Sequence, residues 1–84
     1  MKTRDFIKMV ADGSPDGAYE YVAIESKSHS FQGRTGNLWS DTCLGFSWAK
    51  RTGKGGDWKL GDEPVLAIKT VKLYDRMVAC AVID

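Results

Sequence analysis

The chain has little of what usually anchors a functional assignment: two cysteines, one histidine, two prolines and a formal charge of only +1. Cys43 and Cys80 stand in unrelated contexts and make no disulfide framework. Cys80 falls in Met77-Val-Ala-Cys-Ala-Val-Ile83, an apolar run where a thiol behaves as a small core hydrophobe. Both thiols are expected to be reduced, the alternative being a disulfide closing a long loop in an oxidising compartment. His29, Cys43 and Cys80 show none of the recurring zinc spacings. Asp57, Asp62 and Glu63 do not fit the twelve-residue calcium loop. No metal and no cofactor is therefore expected.

Charge of one sign is also missing. Twelve basic against eleven acidic side chains give no overall field for nucleic acid or membrane, and rule out an acidic DNA mimic. No apolar stretch approaches the length of a membrane span. The residues after Met1-Lys-Thr-Arg-Asp5 lack the apolar core of a signal peptide. The expected location is the cytoplasm.

Two catalytic motifs are suggested and then fail. Arg51-Thr-Gly-Lys-Gly-Gly56 contains Gly-Lys, but a phosphate loop needs Gly-x-x-x-x-Gly-Lys-Ser/Thr, and here Trp48 and Gly55 occupy the defining ends. No helical pattern follows to present its N-terminus to a phosphate. Cys43, His29 and Asp41 are the right types for a thiol nucleophile with its base and orienting acid, yet no spacing forces them together. No catalytic residue is assigned, and the expectation is a chain that is not an enzyme.

What is present is one domain's worth of residues. Eighty-four residues, 43% hydrophobic and 27% charged, fit a single globular unit over 1–84. Such a chain buries only about 60–65% of its unfolded surface. Nine aromatic residues, each able to bury roughly 150–250 Å², exceed what so small a core needs and point to a surface used for binding.

Residues 3–12 read as a helix, with Thr3 as N-cap, Asp5 in the first turn, and the i, i+4 pairs Phe6–Val10 and Ile7–Ala11. Phe at position 6 removes the capping box, and Gly13 is the expected left-handed C-cap. Gly13-Ser-Pro-Asp-Gly17 is a turn, because Pro fixes φ and Gly supplies positive φ. Ala18 to Glu25 reads as a strand. Ser26 to Gly36 is polar, glycine-punctuated and expected to be a long loop carrying at most a turn of helix, with Asn37–Ser40 a short strand. Leu44, Phe46 and Trp48 alternate with small residues as a strand, the cleanest period-two signal in the chain. Val65 to Leu73 is strand-like, although Lys69 and Lys72 differ in parity and call for a bulge or a lysine stem lying on apolar surface. Tyr74-Asp75-Arg76 reads as a hairpin turn, and the uncharged Met77 to Ile83 as a central strand covered on both faces. The expected fold is α+β: one short N-terminal helix packed on a mostly antiparallel sheet of four to five strands.

Two stretches carry the residue types of a contact surface. Lys50, Arg51, Lys54 and Lys59 lie between or beside Trp48 and Trp58, and Gly53, Gly55 and Gly56 leave backbone N–H groups open to anions. Cations with exposed rings also suit stacking on single-stranded bases. The competing explanation is a solvated hairpin with both tryptophans in the core. The second stretch offers Lys27, His29, Phe31, Arg34 and Trp39, on a loop adaptable through Gly33 and Gly36. Taken together, the expectation is a small non-catalytic module that engages, and by occupying it inhibits, a partner protein. Phe31, Arg34, Trp39, Lys50, Arg51, Lys54, Trp58 and Lys59 are its contact residues. Small domains of this kind are often phage or mobile-element accessory proteins. The alternative is a nucleic-acid or nucleotide-type anion binder using the Lys50–Lys59 turn. An exposed edge strand would support a homodimer, but no sequence signal selects one.

Overall fold

The computed structural model describes residues 1–27, 30–40 and 59–84, with Trp39 and Ser40 as backbone only. The expected strand through Leu44, Phe46 and Trp48 and the turn from Lys50 to Trp58 lie outside the described residues, as do His29, Asp41 and Cys43.

The architecture is α+β. In chain order, α1 spans Thr3–Gly13, β1 Tyr21–Glu25, β2 Ser30–Arg34, α2 Thr35–Ser40, β3 Ala67–Leu73 and β4 Arg76–Val82. Short 3-10 turns at Gly17–Tyr19 and Leu60–Asp62 lead into β1 and toward β3. The four strands form one sheet in the order β2-β1-β4-β3. Each sequential hairpin is antiparallel, while β1 and β4 run parallel through Ala23–Cys80, Ile24–Ala81 and Glu25–Val82.

Helix α1 forms where its amphipathic spacing predicts and buries Phe6 and Ile7 against the sheet. Its start differs from the sequence expectation. Lys2, not Thr3, is the N-cap, and the Asp5 carboxylate accepts the Lys2 backbone N–H at 3.3 Å. This is half a capping box, since a lysine side chain has no acceptor to complete it. Thr3 is instead fully buried and works as a tertiary anchor. Its N–H and its Oγ1 both donate to the Glu63 carbonyl at 2.8 Å. The Arg4–Asp62 ion pair, Arg4 Nε donating to the Gly61 carbonyl and Val65 N–H donating to the Met1 carbonyl fasten the same end to residues 61–65. Gly13 is the last helical residue and not a left-handed cap; the positive-φ glycine is Gly17, at 56°, in the following turn.

Four other expectations are corrected. Residues 18–20 are not strand: Tyr19 N–H donates to Asp16 O and Glu20 N–H to Gly17 O, closing a 3-10 turn, so β1 starts at Tyr21. Ser30–Arg34 is an edge strand in full register with β1, not part of a long loop. Asn37–Ser40 belongs to α2 and is not a strand. β3 begins at Ala67 and pairs with β4 in unbroken register, so no bulge reconciles Lys69 with Lys72; both are exposed, on a strand at the end of the sheet among the described residues. β4 is the expected internal strand, burying Val78 and Cys80 on one face and Ala81 on the other. Cys80 is a free thiol.

Strand alternation sorts the interior into two layers. On the helix side, Val22 and Ile24 of β1, with Ala81 and Ile83, meet Phe6, Ile7 and Leu60, and Phe31, Leu38, Val65 and Ala79 pack around them. On the opposite face Ala23, Leu73, Val78 and Cys80 form a smaller cluster edged by Tyr21 and Val71. Phe6→Ala removes a fully buried ring and is expected to cost about 3–5 kcal/mol. Thr3→Val removes one hydroxyl donor while the backbone bond to Glu63 survives, and should cost about 1 kcal/mol. Chemical denaturation of the two variants measures both. Equal losses would contradict the assignment of Phe6 to the core and Thr3 to an anchor.

Candidate functional site

The first step toward the site is taken by Thr35. Buried as the first residue of α2, directly after β2, it donates Oγ1 to the Gly17 carbonyl at 2.9 Å and its N–H to the Glu20 carbonyl at 2.8 Å. Next to it Gly36 passes so close to Ala18 that an added Cβ would stand 2.9 Å from the alanine methyl. These contacts lock the end of β2 onto the 3-10 turn and thereby set Arg34 beside Tyr19. Arg34 Nη1 donates to the Tyr19 carbonyl at 3.2 Å, and its guanidinium lies 5.8 Å from the Tyr19 ring centroid and 4.9 Å from that of Tyr21.

The C-terminal hairpin completes the cluster from the other side. Arg76, the first residue of β4, places its guanidinium 5.4 Å from the Tyr21 centroid. Tyr74, in the β3–β4 turn, meets Tyr21 edge to face, with centroids 5.7 Å apart and planes at 71°. All three tyrosines of the chain and two of its arginines therefore share one surface. Tyr19 and Tyr74 are 72% and 75% exposed, so the outer rings are presented to solvent and not packed away. Tyrosine faces attract guanidinium groups by about 0.5–1 kcal/mol at exposed sites, enough to orient them without burying them.

Tyr74 is also the one non-glycine residue with positive φ, 58°, among the described residues. A bulky side chain there carries strain of order 1–3 kcal/mol that glycine would avoid. An exposed ring held at a strained turn position is a feature that folding alone does not call for.

Glu20 governs the charge of the cluster. Its carboxylate accepts Ser14 Oγ at 2.7 Å and the Tyr21 N–H at 2.8 Å, and lies 3.8 Å from Arg76 Nη1. These hydrogen bonds, with a smaller contribution from Arg76, hold its pKa below the ordinary glutamate value of 4.5. Arg34 has no carboxylate partner among the described residues, and two rings and a carbonyl orient its guanidinium.

The residues singled out from sequence are dispersed. Arg34 belongs to this cluster. Phe31 lies on the opposite face of β2, partly buried against the helix-side core. Lys59 is exposed and precedes Leu60, which is buried in that same core. Trp39 is helical in backbone, and Lys50, Arg51, Lys54 and Trp58 lie outside the described residues. Sequence reading missed Tyr19, Tyr21, Tyr74 and Arg76. Tyr21 and Arg34 are directly opposite across the first hairpin, while Tyr74 lies in the turn of the second and Arg76 opens β4 immediately after it.

Other chemistry is sparse. A cleft of about 230 Å³ between α1 and the Ala18–Gly36 contact is lined by Ile7, Lys8, Ala11, Asp12, Ala18, Thr35 and Gly36. Its two charged residues, Lys8 and Asp12, pair with each other at 2.8 Å on the surface. Burial, followed by the nearby Glu25 carboxylate, pushes the Cys80 thiol pKa up, away from a reactive thiolate. Among the described residues no three His, Cys, Asp or Glu side chains form a metal-holding group, and no helix is long and apolar enough to cross a membrane. Compared with protein-family models, curated proteins and solved structures, the chain finds no match.

Two outcomes follow for the cluster itself. A glutamate whose pKa is lowered by folding contributes stability that is present above its unfolded value and lost as pH falls through the folded one. Stability should therefore decline below about pH 4.5, and Glu20→Gln should flatten that acid limb in pH-dependent denaturation. Tyr74→Gly relieves the positive-φ strain while losing one edge-to-face contact worth about 0.5–1.5 kcal/mol. Its unfolding free energy should stay within about 1 kcal/mol of the parent. A loss of several kcal/mol would make Tyr74 a structural residue.

Proposed function

We propose that the chain is a non-catalytic binding module that engages a partner protein through Tyr19, Tyr21, Arg34, Tyr74 and Arg76. The observation that carries this reading is the convergence of three tyrosines and two arginines from two separate hairpins onto one largely exposed surface. Tyrosine and arginine are the residues most enriched where interface truncations cost most, because each offers a large rigid contact and a directional polar end. The strain at Tyr74 supports the same reading, since it keeps a ring at the surface at a cost to folding. On this proposal the protein is a small cytoplasmic accessory protein, of the kind phages and mobile elements encode, that inhibits its partner by occupying a face.

The cluster is a poor track for a phosphate backbone. It holds two arginines, one of them facing Glu20, whereas nucleic-acid affinity grows with the number of phosphates neutralised. The test is affinity capture from a lysate with and without nuclease. The expected result is a protein partner that survives nuclease and moderate salt. Arg34→Ala or Tyr74→Gly should lower its recovery about tenfold or more, with unfolding nearly unchanged for the Tyr74 variant. Co-purifying nucleic acid whose binding falls steeply with salt would overturn the proposal, as would variants that retain full capture.

A further inference from the structure

We infer that Ser14, in the turn after α1, is a positioning residue for the binding surface: it aims Arg76 by fixing the Glu20 carboxylate that Arg76 faces. This role rests on the reading of the tyrosine–arginine cluster as a contact surface. What singles out Ser14 is that every polar group it carries is committed. Its backbone N–H caps α1 by donating to the Ala11 carbonyl at 3.4 Å, and its carbonyl accepts the Gly17 N–H at 3.0 Å. Its hydroxyl accepts the Asp16 N–H at 3.2 Å and donates to Glu20 Oε2 at 2.7 Å. A serine hydroxyl has a single proton, and the Asp16 N–H occupies one of its lone pairs, so that proton goes to Glu20.

The two carboxylate oxygens divide the work. Oε2 is held by Ser14, while Oε1 accepts the Tyr21 N–H at 2.8 Å and faces Arg76 Nη1 at 3.8 Å. The terminal torsion of a glutamate is broad and roughly two-fold, so a carboxylate held at one oxygen only would swing or exchange its oxygens. At 3.8 Å the Arg76 contact is an ion pair longer than a hydrogen bond, and Arg76 is 48% exposed. Such a pair is weak by itself. Its direction is therefore only as well defined as the carboxylate, which Ser14 ties to the end of α1. Successive hydrogen bonds from Asp16 N–H through Ser14 to Glu20 also reinforce one another. In agreement with this geometry, Ser14 is the largest cause of the lowered Glu20 pKa.

The test separates the hydroxyl from the rest of the side chain. Ser14→Ala deletes it, and Ser14→Thr keeps it on extended backbone that threonine adopts readily. In NMR of the free chain, Glu20 of Ser14→Ala should titrate closer to 4.5 than in the parent, and the Arg76 Nε–H and Tyr21 amide signals should shift. The Arg34 Nε–H signal should stay in place, and Ser14→Thr should match the parent throughout. In capture from lysate, Ser14→Ala should recover roughly threefold less partner, on the scale of one exposed ion pair, with Ser14→Thr restoring it. Unchanged Glu20 and Arg76 signals in Ser14→Ala would overturn the inference, as would a Ser14→Thr chain that behaves like Ser14→Ala. Capture that needs Arg34 and Tyr74 but ignores Ser14 would overturn it too, and would leave the binding surface standing. Capture that ignores Arg34 and Tyr74 as well would instead overturn the binding surface and, with it, this role for Ser14.

Discussion

The meeting of the tyrosine–arginine cluster's two halves depends on the parallel ladder between β1 and β4. Three residue pairs, Ala23–Cys80, Ile24–Ala81 and Glu25–Val82, join a hairpin from the first half of the chain to one from its end, and Ile83 N–H extends the join by donating to the Glu25 carbonyl at 3.0 Å. Parallel pairing is somewhat weaker per residue than antiparallel pairing and brings together segments far apart in sequence. It is held because both faces of the junction are buried: Val22, Ile24 and Ala81 under Phe6 and Ile7, and Ala23 with Cys80 beneath. The N-terminal clamp through Thr3, Glu63 and Arg4 keeps α1 over this junction. Without the junction, Tyr21 and Arg34 would sit on one hairpin and Tyr74 and Arg76 on another, with nothing to unite them.

The cluster shows how modest interactions assemble a defined surface. No single contact among Tyr19, Tyr21, Arg34, Tyr74 and Arg76 is worth much in water. Backbone anchors do the positioning. Thr35 fixes the end of β2, Glu20 is tied down by Ser14 and its neighbour's N–H, and the tight β3–β4 turn fixes Tyr74. A surface oriented in advance loses less conformational entropy when a partner orders it.

Legibility from sequence followed the locality of the cause. Helix α1 was readable because Phe6, Ile7 and Val10 repeat at helical spacing, and the β3–β4 hairpin because an apolar run flanks a polar turn. β2 was not readable: of Ser30-Phe-Gln-Gly-Arg34, Phe31 and Gly33 face the helix-side layer, so an edge strand has the composition of a loop. α2 is six residues long, too short for periodicity to declare itself, and is held by tertiary contacts at Thr35 and Gly36. Thr3 has the right chemistry for an N-cap, but burial against Glu63 outweighed the local preference. Of the candidate site only Arg34 is singled out by sequence: Tyr19 and Tyr21 meet it through the β1–β2 register, which the loop-like composition of β2 hides, and Tyr74 and Arg76 join them through the β1–β4 ladder, which no local pattern encodes.

The most direct measurement of that join is a nuclear Overhauser spectrum of the folded chain. The structure predicts cross-peaks between the Tyr21 and Tyr74 rings, whose centroids are 5.7 Å apart, together with contacts across Ala23–Cys80 and Ile24–Ala81. Strong hairpin contacts within β1–β2 and within β3–β4, with no cross-peak linking one hairpin to the other, would contradict the account.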